Sequence, residues 1–185
     1  MKKINKKGIK ENFLFYDFEN QKKTGGFQTI IEFINKDSIV TYSDLQFGRK
    51  TEDFIFQKNL LINFIVDFIK IIGDNSLILF KYEYRWLNDL NKFPVIHNLL
   101  LENNMNNDYS GGIEISVDDE CLICFLESIL MYNSFINIIL PFSKVIITPT
   151  DHMDIFINYD ENKISDVIYK LINNISDFQK YINAK

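Results

Sequence analysis

The chain has 185 residues, 46% of them hydrophobic, and a formal net charge of −5 at neutral pH. Because this much apolar surface can offset the conformational entropy lost on folding, the composition excludes an intrinsically disordered protein. The length predicts a single domain over residues 1–185, and two cysteines are too few for a disulfide framework.

The first fifty residues predict a basic end followed by strands. Five lysines fall within residues 1–10, where we expect a mobile, solvated end. The segments ENFLFYDFE and FQTIIEFI, joined by the turn NQKKTGG, predict a hairpin, and SIVTYS predicts a short third strand. An apolar run that starts at Phe13 is interrupted at Asp17, which is not typical of a secretory signal, so we expect a cytoplasmic protein.

Residues 51–72 predict the longest helix of the chain. Their apolar residues recur at nearly helical spacing, and Gly73 is a typical helix end. Since Lys58, Asp67 and Lys70 would place charges inside a bilayer, we interpret the segment as a helix of a soluble protein and expect no membrane contact.

The segment SLILFKYEYRW predicts a long strand, because aromatic and charged residues alternate from Phe80 onward. Four aromatic residues share one face of this strand: Phe80, Tyr82, Tyr84 and Trp86. Such a stripe is either part of the core or a binding face for a protein or for single-stranded nucleic acid, and the residues alone leave both interpretations open. A short helix is predicted from Pro94, followed by the polar loop NNMNNDYSGG.

The last third predicts the strand GIEISV, a helix over 119–132, the strands FINIIL, KVIIT and MDIFINY, and a final helix over 162–182. A single apolar stripe that includes Ile164, Ile168 and Ile172 marks the final helix as amphipathic. Strands and helices alternate here without a regular βαβ repeat. The predicted fold is therefore α+β, a single domain in which about three to four helices cover a mostly antiparallel sheet.

Both cysteines lie in the segment DDECLIC, a placement that a redox motif at a helix start could also have. Three carboxylates directly before Cys121 would oppose the thiolate that redox chemistry needs, and apolar residues surround Cys124. We therefore interpret both cysteines as core residues. Two cysteines and the distant His97 and His152 do not have the spacing of a zinc site, so no metal is predicted.

The segment TPTDHMDIF contains the candidate catalytic pair of the chain. If it were one strand, His152 and Asp154 would share a face, as a general base oriented by a carboxylate requires. An exposed histidine beside an aspartate is also common on solvated strands, so this pair is the alternative interpretation only. The glycine spacing of phosphate-binding loops is missing, and we predict no cofactor.

Charge is distributed unevenly along the chain. Residues 101–185 contain 5 basic and 13 acidic residues, a difference of −8. An acidic surface disfavours nucleic acid and favours a basic protein as the partner. The candidate partner-binding residues are Asp108, Tyr109, Asp118, Asp119, Glu120, Asp151 and Asp154.

These observations favour a non-enzymatic cytoplasmic binding protein, such as an immunity or antitoxin-type protein that neutralises a basic toxin, for example a nuclease. One alternative is a small hydrolase or transferase that uses His152 with carboxylates. Another is a regulatory or structural subunit of a larger assembly. Nothing in the sequence predicts the oligomeric state.

Overall fold

A computed structural model describes residues 1–17, 22–23, 25–81, 94–105, 109, 111–118, 120–132 and 136–184. Eight strands form one sheet in which all neighbours are antiparallel. The strands, in their order across the sheet, are β1 (Lys2–Asn5), β6 (Gly111–Ser116), β5 (Ser76–Lys81), β7 (Asn137–Leu140), β8 (Val145–Pro149), β9 (Ile155–Tyr159), β4 (Phe27–Phe33) and β10 (Phe178–Ala184). A separate two-stranded ribbon pairs β2 (Tyr16–Asp17) with β3 (Lys22–Lys23).

Five α-helices accompany the sheet in the described ranges. They are α1 (Lys6–Asn12), α2 (Thr51–Ile72), α3 (Pro94–Glu102), α4 (Cys121–Tyr132) and α5 (Asn162–Asn173). Two 3-10 turns, Lys36–Ser38 and Ser43–Phe47, lie between β4 and α2. None of the helices in these ranges combines the length and the apolar composition that crossing a membrane would require.

The main core lies between one face of the sheet and the helices α2, α3, α4 and α5. Alternate strand residues such as Leu79, Ile138 and Ile157 contribute to it, together with the buried stripes of the helices. Phe64 and Phe178 pack edge to face, with ring centroids 5.9 Å apart. This arrangement confirms the predicted α+β fold, and the helix predicted over residues 51–72 is confirmed with Gly73 in the left-handed region at its end.

The opposite face of the sheet carries a smaller core under α1. Ile9 is fully buried there with Ile78 and Phe80. Gly112 makes room for this contact, because a Cβ atom at that position would lie 2.6 Å from Cδ1 of Ile9. Residues 1–10, for which the sequence predicted a mobile end, form β1 and most of α1: β1 pairs with β6, and Ile9 is buried.

Three predicted elements differ from the structure. The expected partner of FQTIIEFI is not ENFLFYDFE, because β4 pairs with β9 and β10 instead. The segment SIVTYS is not a strand. Its backbone bonds to a helix side chain, since Oε1 of Gln57 accepts from the N–H of Val40 and Nε2 donates to the carbonyl oxygen of Ser38.

The final helix is the third difference, because it ends at Asn173 instead of continuing to residue 182. The chain then forms β10, which hydrogen-bonds the otherwise free edge of β4. Of the aromatic stripe, Phe80 is buried beside Tyr16, while Tyr82, Tyr84 and Trp86 lie outside the described residues.

Candidate functional site

The antiparallel register brings four chain segments together at one end of the strands. Ser76 pairs with Ser116, and Leu140 pairs with Val145, so the segments next to these residues are neighbours in space. We call this end of the sheet the acidic edge. It consists of residues 73–75, 117–118, 120, 141–144 and 160–161.

Hydrogen bonds join three of the four segments. The Asp74 side chain is only 3% exposed, and its Oδ2 atom accepts from the Ser143 hydroxyl at 2.8 Å and from the Ser143 N–H at 3.4 Å. The N–H of Val117 donates to the carbonyl oxygen of Asn75 at 3.2 Å. Because strands β5, β6 and β7 hold both ends of these contacts, the acidic edge is a preorganised surface.

The acidic edge carries an exposed aromatic residue together with exposed carboxylates and the exposed Lys144. Phe142 lies in the turn between β7 and β8 and is 79% exposed. Asp118, Glu120 and Glu161 are exposed on the neighbouring segments. Glu161 is bound to Lys163 at 2.6 Å. Large exposed aromatic side chains are typical anchors of protein interfaces, where the charges around them lie on the rim.

Other predicted site residues lie at the opposite end of the strands. His152 lies in the turn between β8 and β9, not on a strand, and its side chain is 81% exposed. Its Nε2 atom is 4.0 Å from Oδ1 of Asp151, so the carboxylate nearest to the histidine is not the predicted one. The prediction that His152 and Asp154 share a strand face is therefore wrong.

Asp154 is engaged within the same turn. Its Oδ1 atom accepts a hydrogen bond from the Thr150 hydroxyl. Burial raises the pKa of the Asp154 carboxyl, and the charges of Glu32 and Asp151 add to this effect, which the hydrogen bond from Thr150 and the charge of His152 oppose. The Asp154 carboxyl is thus engaged by a hydrogen bond inside the turn.

Tyr109 stabilises the N-terminal part of the fold. Its hydroxyl donates to the carbonyl oxygen of Gly112 at 2.6 Å and lies 3.1 Å from that of Ile4, while Nζ of Lys3 is 5.0 Å from the ring centroid. Burial raises the pKa of this phenol. Tyr109, which the sequence predicted as a partner-binding residue, is therefore partly buried and engaged by contacts within the fold. Of the remaining candidates, Asp108 and Asp119 lie outside the described residues.

The cysteines have the environment of core residues. Cys121 is buried, and Cys124 is half-buried on the same helix. Burial raises the pKa of the Cys124 thiol, and the charges of Glu127 and Glu120 raise it further, which opposes formation of a thiolate. Among the described residues, no group of three histidine, cysteine, aspartate or glutamate side chains is arranged to hold a metal ion.

A cavity of about 460 Å³ lies at the start of α2, and the sequence analysis missed it. It is lined by Phe33, Ser38, Val40, Gly48, Arg49, Lys50, Asp53, Phe56, Gln57 and Asp177. The adjacent cations Arg49 and Lys50 directly before a helix were the available signal. No local sequence signal indicated that Asp177 would line the cavity, because its position depends on β10 packing beside β4.

Comparison with models of known protein families, with curated proteins and with solved structures finds no match to this chain.

Proposed function

We propose that the protein binds a basic protein partner through the acidic edge, as an immunity or antitoxin-type protein that neutralises a toxin such as a nuclease would. One observation carries this proposal: exposed Phe142 lies at the same end of the strands as the exposed carboxylates Asp118, Glu120 and Glu161, where hydrogen bonds join three of the four segments.

The acidic edge supplies steering and anchoring from different residues. Asp118 and Glu120 attract lysine and arginine side chains without leaving water completely, so they raise the rate of association more than they deepen the affinity. Phe142 offers the large apolar surface that most of the binding energy requires. It takes the role first assigned to Tyr109, which is engaged inside the fold.

The candidate partner-binding residues that the sequence grouped together lie in two separate places. Asp118 and Glu120 lie at the acidic edge, whereas Asp151 and Asp154 lie at the opposite ends of the strands. A strand of six residues is about 20 Å long, so one small interface does not include both groups. The proposal uses Asp118 and Glu120 alone.

A hydrolase or transferase centred on His152 has less support from the geometry. The side chain is in solvent, and Asp154 is bound to Thr150. Among the described residues, no specific contact favours this second function.

The test measures the association rate with the protein encoded by the adjacent gene, over a range of salt concentrations. Asp118→Lys with Glu120→Lys should slow association by about tenfold or more at low salt, and the difference should shrink as salt screens the charges. The matched control reverses two exposed carboxylates far from the acidic edge, Asp37→Lys with Glu52→Lys, and should leave the rate almost unchanged.

Phe142→Ala should instead increase the dissociation rate, because an anchor acts after the encounter. A partner that is itself acidic, or equal rates for both double variants, would contradict the proposal.

A further inference from the structure

Four exposed charged residues line the cavity at the start of α2 and form no ion pair with other described side chains, although Oδ2 of Asp177 accepts a hydrogen bond from the Ser176 hydroxyl at 3.4 Å. Arg49, Lys50, Asp53 and Asp177 all line it. Within the part of the chain that the structure describes, none of these four side chains forms an ion pair within 4.0 Å. Asp44 is near Arg49, but its carboxylate accepts hydrogen bonds from the N–H of Thr41 at 2.8 Å and from its hydroxyl at 2.7 Å.

The rest of the lining combines apolar surface with a fixed wall. Phe33 and Val40 are buried, and Phe56 is exposed. Gln57 is buried, and both ends of its amide are occupied by the backbone of Ser38 and Val40. The volume of about 460 Å³ is within the range of small-molecule sites in proteins.

The sum of the charges selects the class of ligand. Two cations and two carboxylates give a lining with no net charge. A simple anion would be repelled by Asp53 and Asp177, and a simple cation by Arg49 and Lys50. A molecule with one group of each sign can satisfy both pairs.

We propose that this cavity binds a small zwitterion of the amino-acid type with an aromatic or other apolar side chain. Arg49 and Lys50 bind the carboxylate of the ligand through charge-assisted hydrogen bonds. Asp53 and Asp177 bind its ammonium group. Phe33 and Phe56 pack against its side chain, as aromatic residues do in most ligand pockets.

The test is an NMR titration of the full ¹⁵N-labelled chain at neutral pH with three probes. L-phenylalanine has both charges, 3-phenylpropionate lacks the ammonium group, and 2-phenylethylamine lacks the carboxylate. L-phenylalanine should shift the backbone amides of Gly48 and Lys50 and the side-chain amide of Gln57 saturably. Each analogue should bind at least about tenfold more weakly, because it leaves one pair of charges unmatched.

Matched variants separate this site from general surface binding. Arg49→Gln with Lys50→Gln should weaken the binding of L-phenylalanine by about tenfold or more. Lys70→Gln, at the other end of α2, should leave the affinity unchanged. Phe56→Ala should weaken binding, whereas Phe142→Ala, at the acidic edge, should not. The spectra also show whether each variant is folded.

Three results would overturn the proposal. One is the absence of saturable shifts at these groups up to the solubility limit of L-phenylalanine. Another is 3-phenylpropionate or 2-phenylethylamine binding as tightly as L-phenylalanine. The third is an equal loss of affinity in the Lys70 variant and in the double variant.

Discussion

Buried polar side chains connect segments that are far apart in the sequence. Nδ2 of Asn137 donates to the Tyr16 hydroxyl at 2.7 Å, and Oδ1 of the same residue accepts from the Thr148 hydroxyl at 2.6 Å. Asp74 and Gln57 are bonded in the same way to Ser143 and to the backbone before α2. Because an unsatisfied buried polar group is costly, each of these contacts specifies which segments must meet.

Burial opposes the charged form of Asp154. The raised pKa means that the folded protein keeps a proton that the unfolded chain has already released above the ordinary value of 3.8. The stability of the wild-type protein therefore falls as the pH rises from about that value through the raised pKa. Asp154→Asn removes the charge that burial disfavours, so the melting temperature of the variant should exceed that of the wild type at neutral pH. In acid, where the wild-type carboxyl is protonated, this difference should disappear.

Thermal melts followed by circular dichroism across this pH range measure the effect. Asp166→Asn is the control, because Asp166 is exposed on α5, and its melting difference from the wild type should not vary with pH in this way. A constant difference for Asp154→Asn at all pH values would show that burial does not control this carboxyl.

At the scale of elements, β1 and α1 form a unit that closes the second face of the sheet. Lys2 to Asn5 pair with Glu114 to Gly111, and the side chain of Asn5 caps α1 by accepting from the N–H of Gly8 at 2.7 Å. Helix α1 has only seven residues and is too short to be stable alone, so burial of Ile9 must hold it in place.

Ile9→Ala should therefore lower the free energy of unfolding by roughly 2 to 5 kcal/mol, the usual cost of such a truncation in a core. Ile34→Ala is the matched control. Because Ile34 is 55% exposed, this variant should lose much less of its free energy of unfolding. Denaturant unfolding measures both variants. Equal, small losses would mean that residues 1–10 form a mobile end after all.

Helix α5 is the corresponding element on the main face. Its buried residues Ile164, Ile168 and Ile172 are one helical turn apart and face the core, and α5 packs against α2. Ile168→Asp would place an unpaired charge there and should destabilise the protein by about 3 kcal/mol or more. The same substitution at exposed Ile71 should cost far less, and similar melting of the two variants would place α5 outside the core.

At the scale of the whole molecule, one apolar cluster includes buried residues from Ile31 to Phe178. Ile31, Leu61, Ile129 and Phe178 belong to it, and the sheet runs without a break from β1 to β10. Local opening of one part would expose apolar surface of the others. We therefore expect a single cooperative unfolding transition, as the length of the chain also predicts.

Far-UV circular dichroism reports the helices, and near-UV circular dichroism reports aromatic packing. Within each protein, the wild type or the Ile9→Ala variant, the two signals should have the same transition midpoint. Two separate transitions would show that the chain contains more than one folding unit.

The sequence predicted elements wherever one local signal was strong. The α2 boundaries follow from apolar periodicity and from Gly73, and the β6, β8 and β9 strands follow from runs of β-branched residues between turns. The predictions failed where partners distant in the sequence decided the conformation. Residues 178–184 continue the helical pattern of α5, yet they form β10, because the edge of β4 offers backbone hydrogen bonds.

The sequence by itself determined the α+β class, the helices α2, α3 and α4, and the core character of the cysteines, because periodicity, turn residues and neighbouring charges act over a few residues. Only the tertiary structure decided which loops meet. It separated Asp118 from Asp151, turned Tyr109 inward, exposed Phe142 and formed the cavity beside Arg49. Strand order and register set these distances, and they depend on contacts between residues far apart in the chain, which no local pattern specifies.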